Sequence, residues 1–167
     1  MILTVWRHGE AGSAATDRQR PLTDSGRDDI GYGCHQFHEH CEAKSLPAPG
    51  LVLYSEWQRT TETADIIASA FTHARCERSP ALIPGSRVEQ VDAALEQYLA
   101  DRHCPEHVLL VSHQPLVSTL VDYYLGEAGR VAPLVPGGLA TLRLDVPAAA
   151  CASLLFSAQP PQYGLSS

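Results

Sequence analysis

Residues 2–10 read Ile-Leu-Thr-Val-Trp-Arg-His-Gly-Glu, and the fold turns on how this stretch is interpreted. Ile2–Trp6 is uncharged, rich in β-branched and aromatic types and too short for a helix, so it suits a strand. Because it is apolar on both faces, it belongs in the middle of a parallel sheet rather than at its rim. The abrupt change to Arg7-His8-Gly9-Glu10 then puts reactive side chains at the strand's carboxyl end. In an open parallel sheet, ligands bind beyond that end.

Working outward, short apolar runs alternate with stretches of helical period, the pattern of an α/β domain with a largely parallel sheet. Residues 25 to about 42 predict a helix, with Ile30, Cys34, Phe37 and Cys41 on one stripe. Leu51–Tyr54 is a second strand after the Pro47-Ala48-Pro49-Gly50 break. Residues 57–71 form a helix with Ala64, Ile67, Ala68 and Phe71 inward, and Val88–Leu99 another, carrying Val88, Val91, Leu95 and Leu99. Val108–Val111 is a third buried strand. Pro115–Leu125 is a helix with proline in its first turn. Leu139–Leu144 and Leu154–Phe156 read as later, antiparallel strands. The expected architecture is a three-layer α/β/α sandwich with a mostly parallel central sheet. It forms a single domain over 1–158, and 159–167 (with Pro160-Pro161 and Ser166-Ser167) is a loosely held C-terminal tail.

A chain of 167 residues can bury one continuous core. The formal charge of −7 argues against nucleic acid or an anionic membrane as partner, since both reward a basic surface. Any anion must therefore be held by a local arginine cluster working against the overall field. No apolar run is long enough to span a membrane, and residues 1–6 are too short for a signal peptide's apolar region, so the expected compartment is the cytoplasm. Five irregularly spaced cysteines without Cys-x-x-Cys agree, because they make no disulfide framework.

Two more strand ends carry chemistry. His113 follows the third buried strand in Val111-Ser112-His113-Gln114-Pro115, and Ser55-Glu56-Trp57-Gln58-Arg59-Thr60 follows the second. Three strand ends thus deliver two histidines and two arginines to one rim. Phosphoryl transfer needs this set. Neutral imidazole is a competent nucleophile near pH 7, and guanidinium groups hold phosphate oxygens bidentately. Gly9 lets the backbone approach closely, and the helix starting near Pro115 is expected to point its N–H groups at an anion.

The motifs also resemble a known family. Arg7-His8-Gly9 at the end of a first strand is the signature of the histidine phosphatase superfamily. The chain looks most like the short bacterial phosphohistidine phosphatases of the SixA type. Arg-His-Gly-Glu-Ala at 7–11, Arg20-Pro21-Leu22-Thr23 with Gly26, Ser55 to Thr60, and Ser112-His113-Gln114-Pro115-Leu116-Val117 carry that resemblance in order. It implies a phosphoglycerate mutase-like fold and a metal-independent phosphatase with no cofactor. His8 would be the phosphorylated nucleophile, Arg7 and Arg59 a phosphate clamp, and His113 the completing group. Arg20 would be a further phosphate contact, with Gly9 and Gln114 beside the substrate.

Two departures matter. Glu56 stands where the family usually has proline after the serine. The acid that mutases and many phosphomonoesterases place before the last histidine has only Glu89 as a candidate, and helical period puts Glu89 on the solvent side. An alkoxide leaving group needs that acid, whereas imidazole can be protonated by solvent and depart neutral. The expected substrate is therefore phosphohistidine on a protein. The alternatives are a small phosphorylated metabolite turned over by the same His8, and a non-catalytic phospho-residue binding module. Cys34, His38 and Cys41 also follow a ligand-like i, i+4, i+7 spacing. The same spacing puts both cysteines on the apolar stripe with Ile30 and Phe37, which leaves His35 and His40 exposed and no metal site. His73, His103 and His107 flank loops and carry no pattern.

Overall fold

A computed structural model describes residues 1–101 and 103–166. The elements, in chain order, are β1 (Ile2–Arg7), α1 (Asp24–Ala43), β2 (Leu51–Tyr54), α2 (Gln58–Ala70), β3 (Arg75–Arg78), α3 (Val88–Leu99), β4 (His107–Ser112), α4 (Leu116–Leu125), β5 (Leu139–Leu144) and β6 (Ala152–Ala158). Short 3₁₀ turns occur at Asp17–Gln19 and Pro80–Leu82. The strands form one sheet in the order β3-β2-β4-β1-β5-β6. Its first four members are parallel, and β5 and β6 run antiparallel. No helix among the described residues is long and apolar enough to cross a membrane.

The two-residue period of the strands divides the core. Leu3, Val5, Leu51, Leu53, Val108 and Leu110 face α3 and α4, where they meet Val91, Leu95, Val117 and Leu120. Trp6, Val52, Leu109 and Val111 face α1 and α2, against Ile30, Phe37, Ala64 and Ile67. The result is the expected α/β/α sandwich, with the largely apolar β1 and β4 at its centre. Thr23 begins α1 by accepting the Gly26 N–H on its side-chain oxygen at 2.9 Å, which satisfies one of the helix's free donors. The stripe of Ile30, Cys34, Phe37 and Cys41 is buried, and burial pushes both thiols up to about 12. Phe37 is the hub of this layer, with Trp6, Phe71 and Phe156 at ring-centroid distances of 5.4, 5.7 and 6.1 Å. Such pairs contribute roughly 0.5–1.5 kcal/mol each beyond the burial of their area.

Several details differ from the sequence reading. β3, an exposed Arg-Cys-Glu-Arg run, is an edge strand on β2 that no apolar pattern marks. Leu99 ends α3 exposed. His107 is not a loop residue but the fully buried first residue of β4. Its Nδ1–H donates to the Pro47 carbonyl at 2.7 Å, which leaves Nε2 to accept the Thr4 hydroxyl at 2.8 Å. Thr141 in turn lies 2.9 Å from Thr4. The chain of bonds lets a polar ring sit inside the sandwich. His35 is exposed as expected, but His40 is half-buried: its Nε2–H donates to the Tyr163 carbonyl at 2.8 Å, and its ring lies against Phe156.

The segment expected to be a loose tail is docked over its described residues, 159–166; Ser167 lies outside them. Tyr163 is fully buried and donates its hydroxyl to the Gly137 carbonyl at 3.0 Å. Ser166 pairs with Ser157 through two backbone hydrogen bonds. Tyr163 lies so close to α1 that a Cβ on Gly33 would sit 2.5 Å from its ring, so glycine is needed there. Tyr163→Ala should therefore cost roughly 3–5 kcal/mol, as truncation of a buried aromatic does, measured by urea unfolding. Gly33→Ala should cost about 1–3 kcal/mol through overpacking. A loss under about 1 kcal/mol for Tyr163→Ala would mean that the segment does not hold the fold.

Candidate active site

Parallel pairing assembles the site. β1 and β4 are in register with Arg7 opposite Ser112, so the next residues, His8 and His113, leave neighbouring strand ends side by side. β2 lies on the other side of β4, with Tyr54 opposite Val111, so Ser55 emerges next to Ser112. The rings of His8 and His113 are 5.2 Å apart. α2 starts three residues after Ser55 and carries Arg59 in its first turn. All of these side chains are withdrawn from water: His8 is 7% exposed, Arg59 6% and His113 3%.

The hydrogen bonds fix the state of His8. A carbonyl can only accept, so the 2.7 Å contact between Nδ1 and the Gly9 carbonyl puts the ring hydrogen on Nδ1. The lone pair is then on Nε2, where it accepts the Arg59 Nε–H at 3.1 Å. Burial foremost, then the charges of Arg59, Arg7 and Arg20, pulls the imidazole down to about 4, against the opposing pull of the Gly9 carbonyl. His8 is therefore a neutral base with an oriented lone pair at neutral pH. Gly9 permits the arrangement, because a Cβ there would lie 3.0 Å from both the Gly26 carbonyl and Ile30. Its N–H donates to Thr63 of α2, and the Thr63 hydroxyl donates to the Arg59 carbonyl, which ties the loop to the arginine's helix.

Arg7 donates from Nη1 to the Leu134 carbonyl at 2.9 Å, while its Nε is buried without a hydrogen-bond partner among the described residues. His113 shares a 2.8 Å hydrogen bond between its Nε2 and the Ser55 hydroxyl, and its Nδ1 is likewise buried without a partner. When the Ser55 hydroxyl donates, His113 Nδ1 carries a hydrogen free for an anion's oxygen. Burial first, then His8 and Arg59, lowers His113 to about 3. Two uncompensated polar atoms, one buried guanidinium (Arg59), one half-buried guanidinium (Arg7) and a neutral imidazole converge here. A tetrahedral oxyanion matches that set of donors.

Other expected residues behave differently. Arg20 lies in the loop beside the site: its Nε and Nη2 donate to the Gly12 and Ala11 carbonyls, and its Nη1 to Asp17. Gln114 is taken up structurally, donating to Ser118 Oγ at 2.6 Å and to the Leu134 carbonyl at 2.9 Å. In the first turn of α4, two of the N–H groups expected to face an anion are taken up within the chain. Val117 donates to the His113 carbonyl and Ser118 to the Gln114 side chain. Glu56 is exposed and paired with Arg18 at 2.8 Å. Glu89 is exposed too, but it stands on the rim of a cleft of about 320 Å³ that runs from His113 along Arg87 and Val88 to Leu116.

Sequence reasoning passed over two residues. Trp57 packs against both partners, its ring 5.1 Å from the Arg59 guanidinium carbon and 5.5 Å from His113. Asp17 accepts from Arg59 Nη1 on its backbone oxygen at 2.8 Å and from Arg59 Nη2 on Oδ2 at 3.4 Å. The i, i+3 spacing of Asp17 and Arg20 was the one local sign of an ion pair.

Three buried histidines give the fold a pH dependence. His8 and His107 are lowered to about 4 and His113 to about 3, in each case chiefly by burial, against about 6.5 in a free chain. Between those limits the unfolded chain binds more protons, so stability must fall as pH falls. The contribution is complete above pH ~6.5 and is lost as the pH drops through that window, by at most about 1.4 kcal/mol per pH unit for each histidine. Urea unfolding at pH 7.5 and pH 5 should show this loss, and imidazole NMR should show no His8 titration above pH 5. A His8 midpoint near 6.5 would contradict the buried neutral state.

No family model matches the chain, and no curated protein matches its sequence. Solved structures do. The protein histidine phosphatase SixA complexed with tungstate is 27% identical, with a TM-score of 0.76 over 96% of this chain and 97% of that one. The alpha-ribazole phosphatase from Shigella flexneri, at 20% identity, has a TM-score of 0.68 over 92% and 94%. A mycobacterial glucosyl-3-phosphoglycerate phosphatase bound to VO3, at 14%, has a TM-score of 0.68 over 92% and 97%. These three neighbours are phosphatases. The chain has the phosphoglycerate mutase-like fold, and over nearly its whole length it resembles the histidine phosphatase superfamily, SixA phosphohistidine phosphatase included.

Proposed function

We propose that the chain is a phosphatase that works through a phosphorylated His8 and removes phosphate from phosphohistidine on a protein. The observation that carries this reading is the wiring of His8, with Nδ1–H fixed on the Gly9 carbonyl and the Nε2 lone pair facing the Arg59 guanidinium. When a phosphoryl group arrives, Arg59 Nε turns from the lone pair to a phosphoryl oxygen, and Arg7 Nε and His113 Nδ1 take others. The Nε2 lone pair forms a bond to phosphorus as the bond to the leaving nitrogen breaks. The Gly9 carbonyl stabilises the positive charge that develops on the ring. Water then attacks the phosphorus, phosphate leaves, and Nε2 regains its lone pair.

The leaving group decides the substrate. Asp17, the carboxylate joined to Arg59, is held below the ordinary carboxylate range by hydrogen bonding to Arg20 first and by Arg59 as well, so it is a poor proton donor. A phosphoramidate tolerates this because its imidazole can be protonated from solvent. The second reading is a small-molecule phosphomonoesterase with Glu89 as acid, and the position of Glu89 on the cleft beside His113 favours it.

Phosphate release from a phosphohistidine-bearing protein should exceed release from a panel of phosphate monoesters, with chelator present throughout. His8→Ala should lower it by at least about a thousandfold, in line with losing the nucleophile of a covalent mechanism. Faster monoester turnover that Glu89→Gln abolishes would establish the second reading. Tight binding without His8-dependent release would leave a phospho-residue binding module.

A further inference from the structure

The Arg59 guanidinium donates three hydrogen bonds, and one residue accepts two of them. Its Nε edge faces His8 Nε2, while Nη1 and Nη2 are held by the backbone oxygen and carboxylate of Asp17. The other carboxylate oxygen of Asp17 accepts from Arg20 Nη1 at 3.1 Å. One side chain thus joins two arginines that would otherwise repel each other beside a third, Arg7. Asp17 is itself held in place. It begins a 3₁₀ turn closed by Gln19 N–H on the Thr16 carbonyl, and the next residue, Arg18, is tied to Glu56, two residues before α2. The Asp17 side chain is 56% exposed, so its role is not to fill the core.

We propose that Asp17 is the positioning residue of the phosphate clamp: by gripping the far end of the Arg59 guanidinium it keeps the Nε edge aimed at the phosphoryl group on His8, and it draws Arg20 into the same frame. This rests on reading Arg59 as part of that clamp. Asp17 touches neither the phosphoryl group nor the nucleophile and acts through the arginine. A guanidinium on a flexible stem loses rotamer freedom when it binds an anion, and a residue that orders it beforehand removes that cost from binding.

The sign of one effect separates this from a bystander role. A carboxylate near an anion site repels the anion, so on charge alone its removal tightens binding. Positioning demands the opposite. Tungstate, a tetrahedral oxyanion, is the probe, titrated calorimetrically into the whole protein. Asp17→Ala should weaken its affinity about tenfold, the scale of effect expected from a misplaced binding group. Asp17→Asn, which keeps an oxygen in place, should fall between the two, and thermal midpoints should stay close to wild type.

In an Arg59→Ala background, Asp17→Ala should change tungstate affinity by less than about twofold, because the two residues act as a unit. Unchanged or tighter binding by Asp17→Ala overturns the proposal. So does an equal loss in the Arg59→Ala background, or a wild-type protein that binds no tungstate. Phosphate release by wild type and His8→Ala, measured alongside, tests the functional reading separately. Equal release would sink that reading, while the tungstate affinities would still decide the role of Asp17.

Discussion

Two chain segments a hundred residues apart meet where β1 pairs in parallel with β4, Arg7 opposite Ser112. Side chains alternate faces along a strand, so a slip of one residue would turn every core residue of β1 toward the wrong layer. It would also separate the two histidines. Leu3 and Val5 on one face, with Trp6 on the other, hold the register by hydrophobic burial alone. Loop 134–138 fixes it further. The Gly138 carbonyl accepts Arg7 N–H, Gly137 N–H donates to the His8 carbonyl, and the Leu134 carbonyl takes the Arg7 guanidinium. The left-handed turn at Gly137, with φ of 86°, brings these groups round to the end of β1. Trp6 and Tyr163 both donate to the Gly137 carbonyl, so the core and the docked C-terminal segment brace the same loop.

The electrostatics of the rim run against those of the whole. A chain of formal charge −7 gathers Arg7, Arg20 and Arg59 around a neutral histidine. Burial keeps His8 uncharged, so the base does not add to this positive cluster, and burial lowers Arg7 and Arg59 as well without discharging them. Asp17 offsets part of the repulsion from the exposed side. The cluster thus combines local attraction for an anion with an imidazole that is already uncharged at neutral pH, as the proposed nucleophile must be.

Much of this was legible in the sequence because it follows from burial. β1, β2, β4 and β5 are largely apolar runs, and α1 announces itself by the stripe Ile30, Cys34, Phe37 and Cys41. His8, Arg7, Arg59 and His113 could be found because each follows closely on such a strand. What escaped lacked that signal. β3 is a charged edge strand that needs only backbone pairing with β2. Tyr163 sits among prolines and glycine, where one aromatic residue does not reveal that it docks on Gly33. His107 and His40 look like polar surface residues until the Pro47 and Tyr163 carbonyls are seen to satisfy them. Asp17 lies in a loop with no periodicity, and its importance comes from the arginine it meets rather than from its own neighbourhood. The bonds of the Gln114 side chain to Ser118 and to the Leu134 carbonyl were also illegible, because a motif does not show which of its donors local contacts consume.

The account stands on covalent chemistry at one nitrogen. The direct test is rapid-quench trapping of the protein after mixing with a phosphohistidine-bearing protein, followed by peptide mapping of the bound phosphate. The mapping should find an acid-labile, base-stable phosphoryl group on His8, attached at Nε2 because Nδ1 is committed to the Gly9 carbonyl. Phosphate released to solvent with no phosphoenzyme at any time point, or a phosphoryl group on His113 or another residue, would contradict it.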